Sequence, residues 1–357
     1  MPVPETQQVE ALAALWRWWA GTIDEGYSPL YSAIAASVPH DEELLSLVAS
    51  APPAAHQPPA LLAAVHYLLL GGLDHPLGEV YAGRSDAPVA PLFRDLCLSH
   101  ASDLLAVLEV RRIQTNEVGR SSLIGLALSW ATARSGDPVQ LVDVGCSAGL
   151  NLLCDRYLLD YGDHGTTGPA DAEVRVECRV EAGRPPVAPL LPTVAGRIGI
   201  DLDPPDLRDP DDARWLLACV WPDTGRLERT ALAIRLAAAD PPPVRTGDAV
   251  ALLPDVLDTL GPGLVVVVNT WSYAYLLPDQ RPAYIDALRQ AGRRRPLVWV
   301  AADGRGVVDL LDTATLPCPN GRVECDALTA VRFDGDREQP VLLAMAQSHG
   351  QWVDWRA

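Results

Sequence analysis

The feature that most constrains the fold is a change in hydrophobic patterning at Pro138. Beyond it, short apolar runs alternate with stretches of helical periodicity, which is typical of a parallel sheet with helices on both faces. The apolar runs predict strands at 139–144, 197–202, 243–246, 264–269 and 296–301. Two further runs, 328–333 and 340–347, flank Asp334-Gly-Asp, which is typical of a hairpin turn. We therefore predict an α/β fold, a doubly wound sheet that ends in an antiparallel hairpin.

The residues before this change predict helices instead. Apolar residues recur at helical spacing, separated by breaks that contain Pro or Gly, in 9–23, 41–49, 58–70, 91–108 and 121–133. We predict an α-helical N-terminal domain over 1–135 and a second domain over 136–357. The N-terminal domain would form a lid on the acceptor side of a ligand site. A helix over about 149–159 should follow the first strand. A Pro- and Gly-rich insertion covers about 162–195, and its alternating segment 173–180 predicts a hairpin.

Composition excludes some classes of partner. The chain has 28 basic residues, all of them Arg, against 46 acidic ones, a net charge of −18. This balance argues against a nucleic-acid partner, which needs a basic face. The seven cysteines show no spacing that predicts a metal site or a disulfide. We find neither a signal peptide nor an apolar run long enough to cross a bilayer, so we expect a cytoplasmic protein without membrane contact. The oligomeric state stays open.

The loop Asp143-Val-Gly-Cys-Ser-Ala-Gly149 joins the first strand to the predicted helix. Its small residues let the backbone turn sharply and approach a ligand, and a helix that follows would direct free N–H groups toward it. Such ligands bind outside the carboxyl ends of the strands. An ordinary tight turn is the alternative. A dinucleotide site does not fit, because Ser147 and Leu150 stand where glycines should, and the next strand-end acid, Asp201, follows about fifty residues later.

This loop resembles motif I of the class I methyltransferases that use S-adenosylmethionine (SAM). Five residues match the common form of the motif: Asp143, Val144, Gly145, Cys146 and Gly149. Ser147 and Ala148 replace the usual Gly-Thr. The resemblance implies SAM as cofactor, with the loop around its methionine part and Asp143 at its amino group. From this segment, the implied cofactor-binding residues are Asp143, Gly145, Ser147, Gly149 and Asn151.

Three later strand ends extend the resemblance. The second strand ends in Asp201 and Asp203, where the family places an acid that accepts hydrogen bonds from the ribose hydroxyls. Asp248, after the third strand, resembles the residue that contacts the adenine amino group. Asn269 ends the fourth strand, at the motif IV position that faces the sulfonium and the acceptor. An acid at a strand end can also be a simple helix cap.

The sequence gives fewer indications of the residues that would bind or activate the methyl acceptor. His75 in a turn and Glu117 in a polar cluster are the candidate bases, since such a base needs a pKa near the working pH. Arg120, Trp271 and Tyr273 are candidate substrate contacts. Each has a structural alternative: capping, ion pairing or packing. No set of metal ligands is predicted.

Almost the whole chain also resembles the uncharacterised DUF2332 proteins. The residues that carry this resemblance are 144–157, Gln114-Thr-Asn-Glu-Val-Gly-Arg120 and Cys219-Val-Trp-Pro222. Our leading hypothesis is a SAM-dependent methyltransferase that acts on a small molecule. Two alternatives stay open: a SAM-binding regulatory protein that transfers no methyl group, and an enzyme that uses SAM for another reaction. Fold analogy does not choose among them.

Overall fold

A computed structural model describes residues 5–23, 27–133, 136–322 and 324–357. The chain forms two compact units, one of residues up to 115 together with 208–231, the other of residues 116–207 and 232–357. The units thus divide after Thr115, not at the predicted domain boundary of 135, and the helix at 121–132 groups with the sheet. That helix is buried at ten of its positions.

The helices largely follow the predicted apolar periodicity. They are α1 Glu5–Ala20, α2 Pro29–Ser37, α3 Glu42–Ser50, α4 Pro58–Leu70, α5 Leu77–Tyr81, α6 Val89–Ser99, α7 Ala101–Val110, α8 Ser121–Thr132, α9 Pro210–Ala218, α10 Leu227–Ala239, α11 Ala249–Thr259 and α12 Arg281–Arg294. The single helix expected over 91–108 is two, because His100 leaves the helical conformation (φ −118°, ψ 30°). The α2 and α5 helices were not predicted.

The first unit is helical and has its own apolar core. Trp16, Tyr31, Leu61 and Phe93 are among its fully buried side chains. Asp41 is the N-cap of the α3 helix, and its carboxylate accepts hydrogen bonds from two amides of the first turn. Burial of these large apolar side chains is the main source of stability in such a unit.

The second unit contains a nine-stranded, mostly parallel sheet. The strands of the chain are β1 Val139–Val144, β2 Leu158–Asp160, β3 Thr166–Thr167, β4 Arg175–Glu177, β5 Arg179–Ala182, β6 Val194–Asp201, β7 Val244–Thr246, β8 Leu264–Thr270, β9 Leu297–Gly304, β10 Asp326–Asp334, β11 Arg337–Ala346 and β12 Trp352–Trp355. The sheet order is β5-β12-β11-β10-β9-β8-β1-β6-β7, and β2, β3 and β4 form a small second sheet.

The parallel strands are connected as a doubly wound sheet. In order of occurrence, β1, β6, β7, β8 and β9 take the spatial order 3-2-1-4-5. Every residue of β1 and β8 is buried, which explains their continuous apolar sequences. The antiparallel β10–β11 hairpin follows at the β9 edge. The chain therefore has a mixed α/β fold, with a helical N-terminal part and a large, mostly parallel sheet.

The helix predicted over 149–159 is wrong. Leu150–Arg156 forms a 3-10 segment, and the chain then enters β2. The Tyr157 hydroxyl donates to the Leu150 carbonyl across 2.7 Å. That carbonyl would accept the Cys154 N–H in an α-helix. A hydrogen bond from a side chain seven residues later thus takes the place of the helical bond.

The hairpin predicted over 173–180 is also wrong. The β4 strand pairs in parallel with β2, whereas β5 pairs in parallel with β12. Only the buried Cys178 separates the two strands, and its amide donates to the Asp160 carbonyl. One residue is too short for a hairpin turn, so the strands join different sheets.

One disulfide was not expected from the cysteine spacing. Cys318 and Cys325 are bridged, with their Cα atoms 5.8 Å apart. A 3-10 turn at Pro319–Gly321 reverses the chain between them and brings the two sulfurs together just before β10. Among the described residues, no helix is both long and apolar enough to cross a membrane.

Candidate functional site

The candidate site of the second unit lies at the edge where its parallel strands end. Because β1, β6, β8 and β9 are parallel, their carboxyl ends share this edge, and the antiparallel β10 begins there. Asp326, the first residue of β10, is paired with Gly304, the last residue of β9. In doubly wound sheets, ligands bind at this edge where the strand order reverses, here beside β1.

The loop after β1 is held in a sharp turn by backbone contacts. The Gly145 amide donates to the Ile200 carbonyl across 2.8 Å, and the Gly149 amide donates to the Cys146 carbonyl across 2.9 Å. Gly145, Ser147 and Gly149 have positive φ angles of 76°, 52° and 77°. A Cβ atom at Gly145 would collide with the Ser272 side chain. The small residues predicted to matter therefore allow the loop to pack against the segment that follows β8.

Asp201 connects this loop to the end of β6. One carboxylate oxygen accepts from the Ser147 amide across 2.7 Å, and the other accepts from the Asp203 amide across 3.0 Å. An ionised carboxylate has about four lone-pair positions, so Asp201 can accept further hydrogen bonds. The structure thus brings three predicted cofactor residues together around one carboxylate.

Asp143 is a buried acid with no donor supplied by the described residues. Its side chain is 1% exposed, and neither oxygen has a hydrogen-bond partner in the described part of the chain. Burial, aided by the Asp201 carboxylate, raises the pKa of Asp143 to about 7, while Arg120 opposes the shift. A buried carboxylate in this state fits a ligand group that carries N–H donors and positive charge, as the amino group of SAM does.

Arg120 is a buried cation at the same edge. Its Nε donates to the Ser348 carbonyl (2.9 Å) and its Nη1 to the Thr270 carbonyl (3.0 Å). Burial lowers the pKa of Arg120, whereas Glu117, Asp326 and Asp303 oppose the shift. The guanidinium is thus held by two carbonyls and interacts electrostatically with three acids.

Glu117 is also buried and is fixed from two sides. One oxygen accepts from the Gly119 amide across 2.8 Å, and the other lies 3.8 Å from Nδ1 of His349. Glu117 therefore caps the turn before α8 as well as contributing negative charge near Arg120. The sequence predicted both residues as site residues, and the structure places them together.

Asp303 and Asp326 complete the cluster and were not predicted. Asp303 is 1% exposed, and neither of its oxygens accepts a hydrogen bond of regular geometry from the described chain. Burial raises its pKa to about 7, an effect that the amides of Ala274 and Tyr273 oppose. Burial likewise raises the pKa of Asp326 to about 6, against a hydrogen bond from the Trp271 indole.

Only one of these two acids left a signal in the sequence. Asp303 is an acid at a strand end, like Asp201, but the predicted strand stopped at 301, two residues before it. Asp326 begins an antiparallel strand, and its place beside Gly304 depends on pairing between distant segments. We name Glu117, Asp143, Asp303 and Asp326 together the acidic cluster.

Trp271, like Ser147, is a non-glycine residue of this region with a strained backbone conformation. Its φ of 57° is in the left-handed region, its amide donates to the Ala302 carbonyl across 2.9 Å, and its indole donates to Asp326. A bulky residue in this conformation costs about 1–3 kcal/mol, and such strain occurs often at functional sites. The predicted substrate residue therefore lies beside the acidic cluster.

Asn269 and Tyr273 are engaged inside the protein. The Asn269 carbonyl accepts from the Tyr284 hydroxyl (2.7 Å) and the Trp299 indole (2.8 Å), and its amide donates to Ser272. The Tyr273 ring packs against the rings of Tyr284 and Trp299. These contacts assign both side chains a structural part at the end of β8.

The remaining cofactor predictions have simple local contacts. Asn151 is buried and accepts from the Ser121 hydroxyl across 2.8 Å. Asp203 is exposed next to Asp201. Asp248 caps α11, accepting from the Ala251 amide across 2.9 Å, which is the alternative that the sequence left open for such acids.

His75 belongs to the first unit. Its Nδ1 accepts from the Leu77 amide (3.1 Å) and its Nε2 lies 3.2 Å from an oxygen of Asp95. It lines a cavity of about 300 Å³ with His66 and Glu79. Both ring nitrogens thus have partners within that unit.

In the described part of the chain, no three His, Cys, Asp or Glu side chains are arranged to hold a metal ion.

Comparison with known proteins identifies the family. No curated protein matches the chain. The model of one family, described as an uncharacterised protein conserved in bacteria (DUF2332), matches residues 13–355. This confirms the whole-chain resemblance, and the protein belongs to the DUF2332 family.

Proposed function

We propose that this protein is a SAM-dependent methyltransferase that acts on a small molecule. The observation that carries the proposal is the buried, unpartnered carboxylate of Asp143 at the start of the motif I loop. The loop lies where the order of the parallel strands reverses, which is the usual ligand position in doubly wound sheets. Neither a dinucleotide nor a metal ion fits the same residues as well.

The residues of the loop would bind and orient the cofactor. SAM, when bound, supplies an electrophilic methyl group on a positively charged sulfur. Asp143 would accept hydrogen bonds from its amino group, and the free lone pairs of Asp201 would accept from the ribose hydroxyls. Because Asp201 also holds the Ser147 amide, the same carboxylate would fix the loop around the ligand.

Methyl transfer also requires an ordered acceptor and exclusion of water. Trp271, beside the acidic cluster, is the side chain that would orient the acceptor. Glu117 and Arg120 would set the charge around it, since both are buried at this edge. Asp303 can take up a proton near neutral pH, given its raised pKa of about 7.

A second candidate is SAM binding without methyl transfer. Asn269, at the motif IV position, is the observation that favours it, because Tyr284, Trp299 and Ser272 engage both ends of its side-chain amide. A regulatory protein would bind SAM and release it unchanged. Formation of S-adenosylhomocysteine with any acceptor, seen by mass spectrometry, would reject this candidate.

The proposal is tested by calorimetric titration with SAM and S-adenosylhomocysteine. We expect both to bind the wild-type protein and to bind Asp201→Ala and Asp143→Asn at least about tenfold more weakly, which is 1.4 kcal/mol. Asp336→Asn removes an exposed acid paired with Arg293 and is the matched control. The proposal fails if neither ligand binds, or if both bind Asp201→Ala as they bind the wild type.

A further inference from the structure

The acidic cluster combines four buried carboxyl groups with one buried guanidinium, that of Arg120. Glu117, Asp303 and Asp326 act electrostatically on Arg120, and Arg120 in turn acts on Asp143. A second basic side chain, that of His349, has its Nδ1 3.8 Å from an oxygen of Glu117. Buried charge without a partner is costly, so such a cluster favours a bound proton or a cationic ligand.

The four carboxyl groups of the acidic cluster differ in the hydrogen bonds that they accept. Glu117 accepts from the Gly119 amide and Asp326 from the Trp271 indole. Asp143 and Asp303, each 1% exposed, have no hydrogen-bond partner of regular geometry among the residues described. Buried carboxylates are normally hydrogen-bonded, and of these two only Asp303 is approached by donors from the described chain, the amides of Ala274 and Tyr273. Asp143 and Asp303 are therefore the members with acceptor capacity left for a ligand.

We propose that the acidic cluster is a binding site for the positive charge of the ligand, and that Asp303 makes the site prefer a sulfonium to the neutral thioether. This inference rests on the proposed function. Asp143 would bind the amino group, which SAM and S-adenosylhomocysteine share. Asp303 would then attract the positive charge of the sulfonium, which only SAM carries.

The position of Asp303 supports this division of roles. Asp303 is the next-to-last residue of β9 and lies beside the turn that follows β8, where the Trp271 amide donates to the Ala302 carbonyl. This turn directly follows the motif IV position, which the resemblance to methyltransferases places at the sulfonium. Asp303 also interacts electrostatically with Asp326 and with Arg120, so a cation there would meet two carboxyl groups against one guanidinium. A sulfonium donates no hydrogen bond, and attraction by charge is the contact open to it.

The consequence is a preference that favours turnover. Loss of the methyl group turns the sulfonium into a thioether and removes one positive charge from the ligand. The acidic cluster then has less attraction for the product than for the substrate. An attraction that is stronger for SAM than for S-adenosylhomocysteine raises the fraction of the protein that holds SAM when both ligands are present.

Three ligands test the inference by calorimetric titration near pH 8, above the raised pKa values of Asp143, Asp303 and Asp326. SAM carries a sulfonium, sinefungin carries an amine-bearing carbon at the same place, and S-adenosylhomocysteine carries neither. We expect the wild type to bind the first two at least about tenfold more tightly than the third. In Asp303→Asn this preference should fall to about twofold or less, with little change for S-adenosylhomocysteine.

Matched variants separate the possible failures. Asp143→Asn should weaken all three ligands alike, and Asp336→Asn, on the exposed hairpin turn, should leave all three unchanged. Asp326→Asn gives a second reduction in charge should Asp303→Asn not fold. Equal binding of the three ligands by the wild type, or a preference that both Asp303→Asn and Asp326→Asn retain, overturns this inference alone. Absence of binding by all three overturns the proposed function with it.

Discussion

The Ser147 amide donates a hydrogen bond of 2.7 Å to the carboxylate of Asp201, across 54 residues of sequence. Ser147 lies in the loop after β1, and Asp201 is the last residue of β6. The bond fixes the loop at the edge where the sheet ends. A hydrogen bond from an amide to an ionised group contributes about 1.5–3 kcal/mol.

Asp201→Ala should therefore lower the free energy of unfolding by about 1–3 kcal/mol. The change removes the acceptor of both the Ser147 and the Asp203 amides. Urea unfolding followed by circular dichroism measures the difference. Asp336→Ala removes only an exposed ion pair with Arg293 and should cost less than about 1 kcal/mol. Equal stability of the two variants would show that the bond does not hold the loop.

Gly145→Ala should destabilise the protein more than Gly335→Ala. Both glycines have positive φ, 76° and 61°, so both changes impose backbone strain of about 1 kcal/mol or more. Only at Gly145 does the new methyl group meet a neighbour, the Ser272 side chain, which adds about 1–3 kcal/mol. Thermal unfolding of the two variants isolates the steric part. A Gly145→Ala protein as stable as Gly335→Ala would contradict the packing described for this loop.

Asp303→Asn should gain stability relative to the wild type as the pH rises from 5 to 8. Burial raises the pKa of Asp303 from 3.8 to about 7, with Asp326 adding to the shift and Arg120 opposing it. A raised folded pKa means that the folded state binds the extra proton between these values. The stability it contributes is complete below about pH 4 and is lost as the pH rises through about 7.

The asparagine lacks this proton and keeps the shape of the side chain. We expect a relative gain on the order of 2 kcal/mol over that range, measured by urea unfolding at each pH. Asp336→Asn should show no such trend, since that carboxylate is exposed. A relative stability of Asp303→Asn that falls with rising pH would reverse the sign and refute the assignment.

Arg120→Met should cost about 3–5 kcal/mol near pH 8, because it leaves the buried acids of the cluster without their guanidinium. Arg120→Lys should recover only part of the loss. One ammonium cannot reach the Ser348 and Thr270 carbonyls as the Nε and Nη1 atoms do. Near pH 5, below the raised pKa values of Asp143, Asp303 and Asp326, the cost of the methionine should shrink. A cost that is the same at both pH values would argue against the charge balance proposed for Arg120.

Most of the sheet could be predicted because its strands have continuous apolar sequences. The run at 264–269 and the strand Leu264–Thr270 differ by one residue, since burial on both faces requires apolar residues throughout. The 3-10 segment after Gly149 could not be predicted. The apolar periodicity of this segment is helical, but the Leu150 carbonyl accepts from the Tyr157 hydroxyl, a side-chain contact that apolar periodicity does not reveal.

The candidate site was predictable only in part. Asp143, Arg120 and Glu117 were named because motif I and its upstream neighbours lie close in sequence. Asp303 and Asp326 enter the cluster through the pairing of β9 with β10. The contacts of Asn269 with Tyr284 and Trp299 likewise depend on α12 and β9. Residues that share a site only through strand pairing leave little trace in one sequence.

The central claim, that SAM binds in the loop after β1, is tested most directly by a crystal structure of the protein with SAM. Our account predicts the methionine part of the ligand within the loop 143–149, its amino group at the Asp143 carboxylate, and its ribose hydroxyls at Asp201. Ligand density anywhere else, or none in crystals grown with saturating SAM, would contradict the account.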